Sequence, residues 1–304
     1  MDRFQEMTVF QAVADEGGFA AAARRLNMSA ASVTRAVAAL EARIGALLLV
    51  RSTRNLRLTD VGERYLNDCR RILSELDEAD ASAAGSHARP QGMLAVTAPV
   101  LFGELYVTPV ITEYLAEFPD VMVQALLLDR VVSMQEEGID VGIRIGELPD
   151  SSLHAVRVGQ VRRVVCAAPS LIRLHGEPQH PSALADCPVI MAASVTHTFE
   201  WRFEDAGDAL SVRVRPRLLV NANQAAIAAA TRGLGFTRLL SYQIAAQLQE
   251  GSLKLVLTRF EPTPLPVHVV YREGVRASAK VRSFVDFCVA RLRTHRVFGA
   301  SMAD

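Results

Sequence analysis

Apolar side chains recur at helical spacing three times within the first 45 residues. Phe4, Met7, Phe10 and Ala14 form one stripe, which stops at Gly17-Gly18. Phe19, Ala22, Ala23 and Leu26 form a second, and Val33, Val37, Leu40 and Ile44 a third. Asn27-Met28-Ser29 separates the last two. A serine hydroxyl there can accept a hydrogen bond from a free amide of the next turn, which marks Ser29 as an N-cap. Three short helices with a break of about three residues before the last predict a helix-turn-helix. Leu47-Leu48-Leu49-Val50 and Leu56-Arg57-Leu58 then flank a polar tip at 51–55, the pattern of a hairpin wing.

A longer stripe follows. Thr59 is placed to cap it, and Asp60 and Glu63 suit the positive end of a helix. Tyr65, Cys69, Ile72, Leu76, Ala79 and Ala83 are spaced as a heptad seam, widened by Leu66 and Leu73, with Glu75, Asp77, Glu78 and Asp80 on the other faces. Such a seam is longer than the small head can cover. Pairing with a second copy is the expected solution, and docking on another domain of the same chain is the alternative. After 86–91, Pro90 and Gly92 mark a hinge. Beyond it, strands are predicted at 93–97, 121–128 and 141–145, with helices at 105–118 and 131–137. This alternation predicts an α/β domain with a mostly parallel sheet, which binds ligands at the carboxyl ends of its strands.

Charge sharpens the first segment. The chain has a formal net charge of zero, yet 24–64 carries eight arginines (24, 25, 35, 43, 51, 54, 57 and 64) against Glu41, Asp60 and Glu63. A basic cluster on a neutral chain is the footprint of phosphate binding. Arginine is also this chain's usual cation, since its lysines are Lys254 and Lys280, so composition is the competing explanation. With Val33, Val37 and Leu40 inward, Ala31, Arg35, Ala38 and Ala42 point outward and Ser32 and Thr34 lie on the flanks. Arg35 is the one long donor on that outer face. It can fork onto the O6 and N7 acceptors of guanine, or simply be solvated.

Composition excludes other classes. No apolar run approaches the ~18 residues of a membrane span, and the charged start 1–6 does not read as a signal peptide, so a cytoplasmic chain is expected. The four cysteines (69, 166, 187 and 288) have no Cys-x-x-Cys spacing, and neither a metal site nor a cofactor is expected. Cys69 on the seam is read as a small buried residue, with an interchain disulfide as the alternative. His175 and His180 are read as solvated. No phosphate-cradling loop or nucleophile elbow is present, and Gly233-Leu234-Gly235 is too short for a dinucleotide fingerprint, so no enzyme is expected.

Taken together, these residues resemble the LysR-type transcriptional regulators. The family's first-helix pattern stands here as Gly17, Phe19, Ala22, Ala23 and Leu26. Its core stands as Ser29, Val33, Thr34, Arg35, Val37, Leu40 and Glu41, and its wing and exit as Arg51, Ser52, Arg54, Leu58, Thr59 and Gly62. Further on, 128–146 is similar to the family's effector-domain pattern, with Ser133 where an aspartate is usual; 221–243, 265–271 and 279–287 extend the resemblance over essentially the whole chain. Gly18 and Ala20 stand where the family often has serine, Ala30-Ala31 where it often has proline or glutamine, and Arg272 where proline is commoner.

The resemblance implies a winged helix-turn-helix head (1–58), a linker and dimerisation helix (59–88), a hinge (89–91) and a periplasmic-binding-protein-like effector domain (92–304). The last has one lobe from 92–162 and 266–298 and another from 163–265. It implies DNA contacts from Ser29, Ala30, Ala31, Ser32, Thr34, Arg35, Arg51, Thr53 and Arg54, and a dimer seam through Tyr65, Cys69, Ile72, Leu76, Ala79 and Ala83. Cleft candidates are Thr97, Ala98, Pro99, Phe102, Arg144, Thr196, His197, Phe199, Asn221, Asn223 and Arg238, with free amides around 97–103 offered to an anion. Expected partners are double-stranded promoter or operator DNA, a small-molecule effector, a second copy assembling to a tetramer, and RNA polymerase. A ligand-independent regulator with a vestigial cleft, or an enzyme on a two-lobed domain, are the rival readings.

Overall fold

Asp2 starts the first helix by accepting the Gln5 amide at 2.8 Å. In the computed structural model, described for residues 1–51, 56–83, 89–130, 132–148, 153–192, 199–272 and 277–298, that helix is α1 (Arg3–Asp15). It is followed by α2 (Phe19–Arg25) and α3 (Ala30–Ile44). Ser29 caps α3 by accepting the Ser32 amide at 3.1 Å, and Gly45 ends it at φ 76°, a left-handed conformation that glycine adopts without a Cβ clash. Strands β1 (Leu49–Arg51) and β2 (Leu56–Leu58) pair antiparallel, Leu49 opposite Leu58. Helix α4 (Asp60–Ala83) follows. Met7, Phe10, Val13, Ala22, Val33, Val37, Leu40 and Leu48 form one buried core. Each large side chain fully buried there contributes about 1.5–3 kcal/mol.

Two expectations for this region change. Phe4 is 44% exposed, and the buried stripe of α1 runs through Met7, Phe10 and Val13 instead. Cys69 and Leu66 lie inside the head core, with Tyr65 and Ile72 packed against it and the Phe10 and Tyr65 rings 5.9 Å apart. The first half of the heptad seam is therefore covered by α1 of the same chain, and Cys69 is fully buried rather than presented to a partner. Burial pushes its thiol up to about 11. A seven-residue repeat specifies an apolar face, not what covers it. Leu76 is half-buried, and the side chains of Ala79 and Ala83 lie outside the described residues.

The chain divides into two compact units, 1–93 and 94–304. The second contains two five-stranded sheets. One comprises β3 (Gly92–Ala98), β4 (Val121–Leu127), β5 (Val141–Ile145), β6 (His154–Val161) and, from the far end of the chain, β14 (Leu265–Tyr271), in the order β4-β3-β5-β14-β6. The other has β7 (Arg163–Ala167), β8 (Val189–Ala192), β11 (Pro216–Val220), β12 (Phe236–Leu240) and β13 (Lys254–Val256), in the order β11-β8-β12-β7-β13. A separate hairpin, β9 (Glu200–Asp205) and β10 (Asp208–Arg213), turns at Ala206 and Gly207, both at positive φ.

Helices cover these sheets. The segment from α5 (Val100–Phe102) through a π-helical turn (Gly103–Val107) to α6 (Thr108–Glu117) is continuous. Then come α7 (Pro169–His175), α8 (Asn223–Thr231), α9 (Ala245–Gln249) and α10 (Ala279–Arg293). No helix among the described residues is long and apolar enough to cross a membrane.

The sheets are mixed, not mostly parallel. β3 runs parallel to β5, and β8 to β11 and β12, but β14 is antiparallel to β5 and β6, and β7 to β12 and β13. The reason is the double crossing. A chain arriving from the other lobe enters at the cleft edge, where the parallel strands end, so β7 and β14 run the opposite way. The helix expected at 131–137 is also absent from 132–137. A turn stands there, held by the Glu137 amide on the Ser133 carbonyl at 3.0 Å, and Gly138 at φ 63° follows it.

Candidate functional site

The outer face of α3 carries Ala30, Ala31, Arg35, Ala38, Ala39 and Ala42, all exposed, with Ser32 and Thr34 half-buried on its flanks. A hydrogen-bonded chain runs along it. The Ser29 and Ser32 hydroxyls are 2.9 Å apart, and Arg35 Nη2 donates to Ser32 Oγ at 3.3 Å. The cap thus reaches the guanidinium through one side chain and leaves most of its donors facing outward. Among the described residues Arg35 has no carboxylate partner.

The basic cluster is smaller than the count over 24–64 suggests. Arg25 pairs with Glu16 at 3.3 Å and Asp15 at 3.6 Å, and Arg43 with Glu6 at 3.1 Å. Those acids sit on α1 and at its C-cap, outside the counted window. Arg24, Arg35, Arg57 and Arg64 remain exposed and without an acidic partner among the described residues. The side chain of Arg51, and all of Ser52, Thr53 and Arg54, lie outside them.

Glu41 anchors the base of the wing. Its Oε1 accepts the Leu48 amide at 2.8 Å and the Leu49 amide at 3.1 Å. Thr59 works from the other side: its hydroxyl donates to the Leu47 carbonyl at 2.8 Å and accepts the Gly62 amide at 2.9 Å. Glu41→Ala is expected to cost the head about 2–3 kcal/mol, since two part-buried amides lose a charged acceptor. Urea unfolding followed by far-UV circular dichroism measures it. Glu41→Gln keeps a neutral acceptor and is expected to cost less than half as much.

In the second unit a cavity of about 350 Å³ opens where strands of both sheets end. From one lobe it is lined by Pro99, Leu128, Asp129, Arg144, Ile145 and Leu265; from the other by Arg163, Asn221, Asn223, Arg238, Leu240 and Tyr242. Arg144 Nη2 donates to the Val132 carbonyl at 3.1 Å, and Arg238 Nη1 to the Arg202 carbonyl at 3.0 Å, with the Arg238 guanidinium 5.3 Å from the Trp201 ring centre. Burial lowers the pKa of Arg144 and Arg163. Burial, then repulsion from Arg163 and Arg202, brings Arg238 down to about 9. Two hydrogen bonds join the lobes at the rim: Asn223 Nδ2 donates to Asp129 at 3.3 Å, and Gln224 Nε2 to Glu104 at 2.5 Å.

Residues 4–63 match the bacterial regulatory helix-turn-helix proteins of the lysR family, and 87–293 match the LysR substrate binding domain. The chain belongs to the LysR family of transcriptional regulators. It is 33% identical over 290 residues to an HTH-type transcriptional regulator of Xanthomonas campestris, covering 93% of this chain and 84% of that one. It is 30% identical over 288 residues to the HTH-type transcriptional activator AaeR of Escherichia coli, covering 94% and 93%. Among solved structures, the LysR-type regulator CrgA from Neisseria meningitidis superposes with a TM-score of 0.60 at 28% identity, covering 95% of this chain and 98% of that one. The protein is thus a DNA-binding regulator with an effector-binding domain, and regulators of this type form oligomers.

In this LysR-type regulator, five of the cleft candidates line the cavity: Pro99, Arg144, Asn221, Asn223 and Arg238. Four do not. Thr97 and Ala98 are fully buried in β3, and the Thr97 hydroxyl is engaged by the Leu126 carbonyl at 2.8 Å. Phe102 is buried among Tyr106, Tyr242 and Phe298, and Phe199 packs into the core of the second lobe. Thr196 and His197 lie outside the described residues. Two of the amides offered to an anion around 97–103 are already engaged. The Val100 amide is held by Asp129 Oδ1 at 3.0 Å, and the Gly103 amide by the Pro99 carbonyl at 2.7 Å. Arg163 and Asp129 escaped the residue-level reading. Arg163 carried one signal: it is the first residue after the crossing, where a strand begins at the cleft edge.

Proposed function

We propose that this regulator reads its operator with the outer face of α3. Arg35 contacts a base edge, Ser32 and Thr34 flank it, Ser29, Ala30 and Ala31 approach the groove at the helix start, and the wing segment with Arg51, Thr53 and Arg54 holds the backbone. The observation that carries the reading is Arg35, exposed, unopposed by acid and oriented through Ser32 by the helix cap. Two copies pair through the distal part of the linker helix, from Ile72 through Leu76 and Ala79 to Ala83, with Tyr65 at its edge, and dimers assemble to a tetramer. Residues 1–58 read DNA, 59–88 pair copies, 89–91 act as a hinge and 92–304 sense the effector. An effector in the cleft shifts the equilibrium of lobe closure and with it the placement of the heads. DNA bending, or access of RNA polymerase, then changes. The protein works in the cytoplasm and performs no catalysis.

Salt dependence of operator binding tests the DNA half of this reading. If each head neutralises roughly four phosphates, a dimer gives a log–log slope near about −7. A slope near zero sinks the backbone-contact arrangement.

A further inference from the structure

Three guanidinium groups face one cavity, and among the described residues none of them meets a carboxylate. Four arginines and one aspartate line that cavity. Arg130 is tied to Glu137 at 2.9 Å, and Asp129 is taken up by the Val100 amide and Asn223. Arg163 and Arg238 from one lobe remain unopposed, and Arg144 from the other feels only Glu137, which is already tied to Arg130 and forms no ion pair with Arg144. Partly buried cations held by neutral carbonyls and, for Arg238, by the Trp201 ring recover only part of the hydration they lose, so an anion among them is favoured.

Its geometry is specific. Across β12 and β7, Arg238 pairs with Val165 and Leu240 with Arg163, so the two arginines are diagonal neighbours on one sheet face. Such neighbours stand about 7–8 Å apart, within reach of one anionic group for side chains this long. Arg144 lies across the cleft, near the end of β5. Backbone carbonyls hold Arg144 and Arg238 in place and leave their other N–H groups for a planar, two-oxygen acceptor. The lining also carries apolar Leu128, Ile145, Leu239 and Leu265, beside the amides of Asn221, Asn223 and Gln243.

We infer that the cleft takes a dicarboxylate: one carboxylate on Arg163 and Arg238, the other on Arg144, with an apolar spacer between them. This rests on the effector reading above and adds to it the ligand class and the closing force. With no ligand, like charges repel across the cleft. A dianion replaces repulsion with attraction from both lobes and favours closure. The cavity lies at the lower end of the usual ligand-pocket range of about 300–1,000 Å³, so the spacer is a few carbons or one ring.

The test uses the full-length protein, with thermal shift and calorimetric titration at constant ionic strength. Malonate, succinate, glutarate and isophthalate are compared with butyrate and benzoate, with sulfate and inorganic phosphate, and with neutral sugars and free arginine. At least one dicarboxylate is expected to bind tenfold or more tighter than the monocarboxylate of similar skeleton and than either inorganic dianion. Arg144→Met is expected to reduce it to the monocarboxylate level while leaving monocarboxylate affinity within twofold. Arg144→Lys, which keeps the charge, should recover part of the loss, and the thermal unfolding of each ligand-free variant reports its folding.

Dicarboxylates no tighter than matched monocarboxylates, phosphate tighter than both, or an indifferent Arg144→Met each overturn the inference. If a sugar or free arginine binds and alters DNA affinity while dicarboxylates do not, the inference falls and the effector reading stands. If no compound moves the melting curve or DNA affinity, both fall.

Discussion

Arg35→Ala is expected to lower operator affinity by about 2–6 kcal/mol for a dimer, since each lost bidentate arginine–guanine contact is worth about 1–3 kcal/mol of discrimination. That corresponds to roughly 30-fold to 10⁴-fold, with 1.4 kcal/mol per tenfold change. The effect falls on discrimination. Binding to random duplex is expected to weaken far less, because the remaining arginines still meet phosphates. Duplexes selected from a random pool by the wild-type protein provide the operator, and competition against scrambled duplex gives the specificity ratio. A ratio unchanged by Arg35→Ala rules the residue out as a base reader. Ser32→Ala, which leaves the charge but removes the hydroxyl that accepts from Arg35, is expected to give a smaller loss of the same kind.

Gly62→Ala is expected to disable the head by a different route. A Cβ at Gly62 would lie 2.0 Å from the Leu48 carbonyl oxygen and 2.9 Å from its carbon, both backbone atoms. That same oxygen accepts the Thr59 amide at 3.0 Å, so relieving the clash means moving the wing base off the start of α4. Overpacking of this kind costs about 3 kcal/mol, at the upper end of the usual range because no flexible side chain can yield. Thermal unfolding is expected to show an early transition in the head with loss of DNA binding, while ligand binding in the second unit survives. Gly45 is the contrast. Nothing lies within 4 Å of its Cβ position, so Gly45→Asn tests only the left-handed backbone and is expected to cost under about 1 kcal/mol. Equal losses at the two positions would show that space at Gly62 is not what matters.

The resemblance placed Gly62, Glu41 and Thr59 in a motif, and the structure gives each a cause. Glu41 satisfies two wing amides, Thr59 caps α4 while holding Leu47, and Gly62 admits the Leu48 carbonyl. No periodicity argument reaches these roles, because each joins residues on different elements. The cleft divides in the same way. Its rim was legible as strand ends, which led to Pro99, Arg144, Asn221 and Asn223. Choosing among strand-end residues was harder: Thr97 and Ala98 lie on opposite faces of β3, yet both are fully buried, so alternation along the strand does not tell core from cleft there.

The sequence by itself determined what is local. Helical periodicity located the helices of the head, Ser29 and Thr59 marked the starts of α3 and α4, and apolar runs located β3, β4 and β5. All of these depend on spacings of two to four residues or on hydrogen bonds within one turn. Tertiary structure decided what depends on distant partners. It turned Cys69 and Leu66 into the head core and neutralised Arg25 and Arg43 with acids on α1 and at its C-cap. It put Asp129 on the Val100 amide and gathered Arg144, Arg163 and Arg238 around one cavity. Charge counted along a chain ignores which acids fold back onto it, and strand order, set by crossings between lobes, decides which arginines meet.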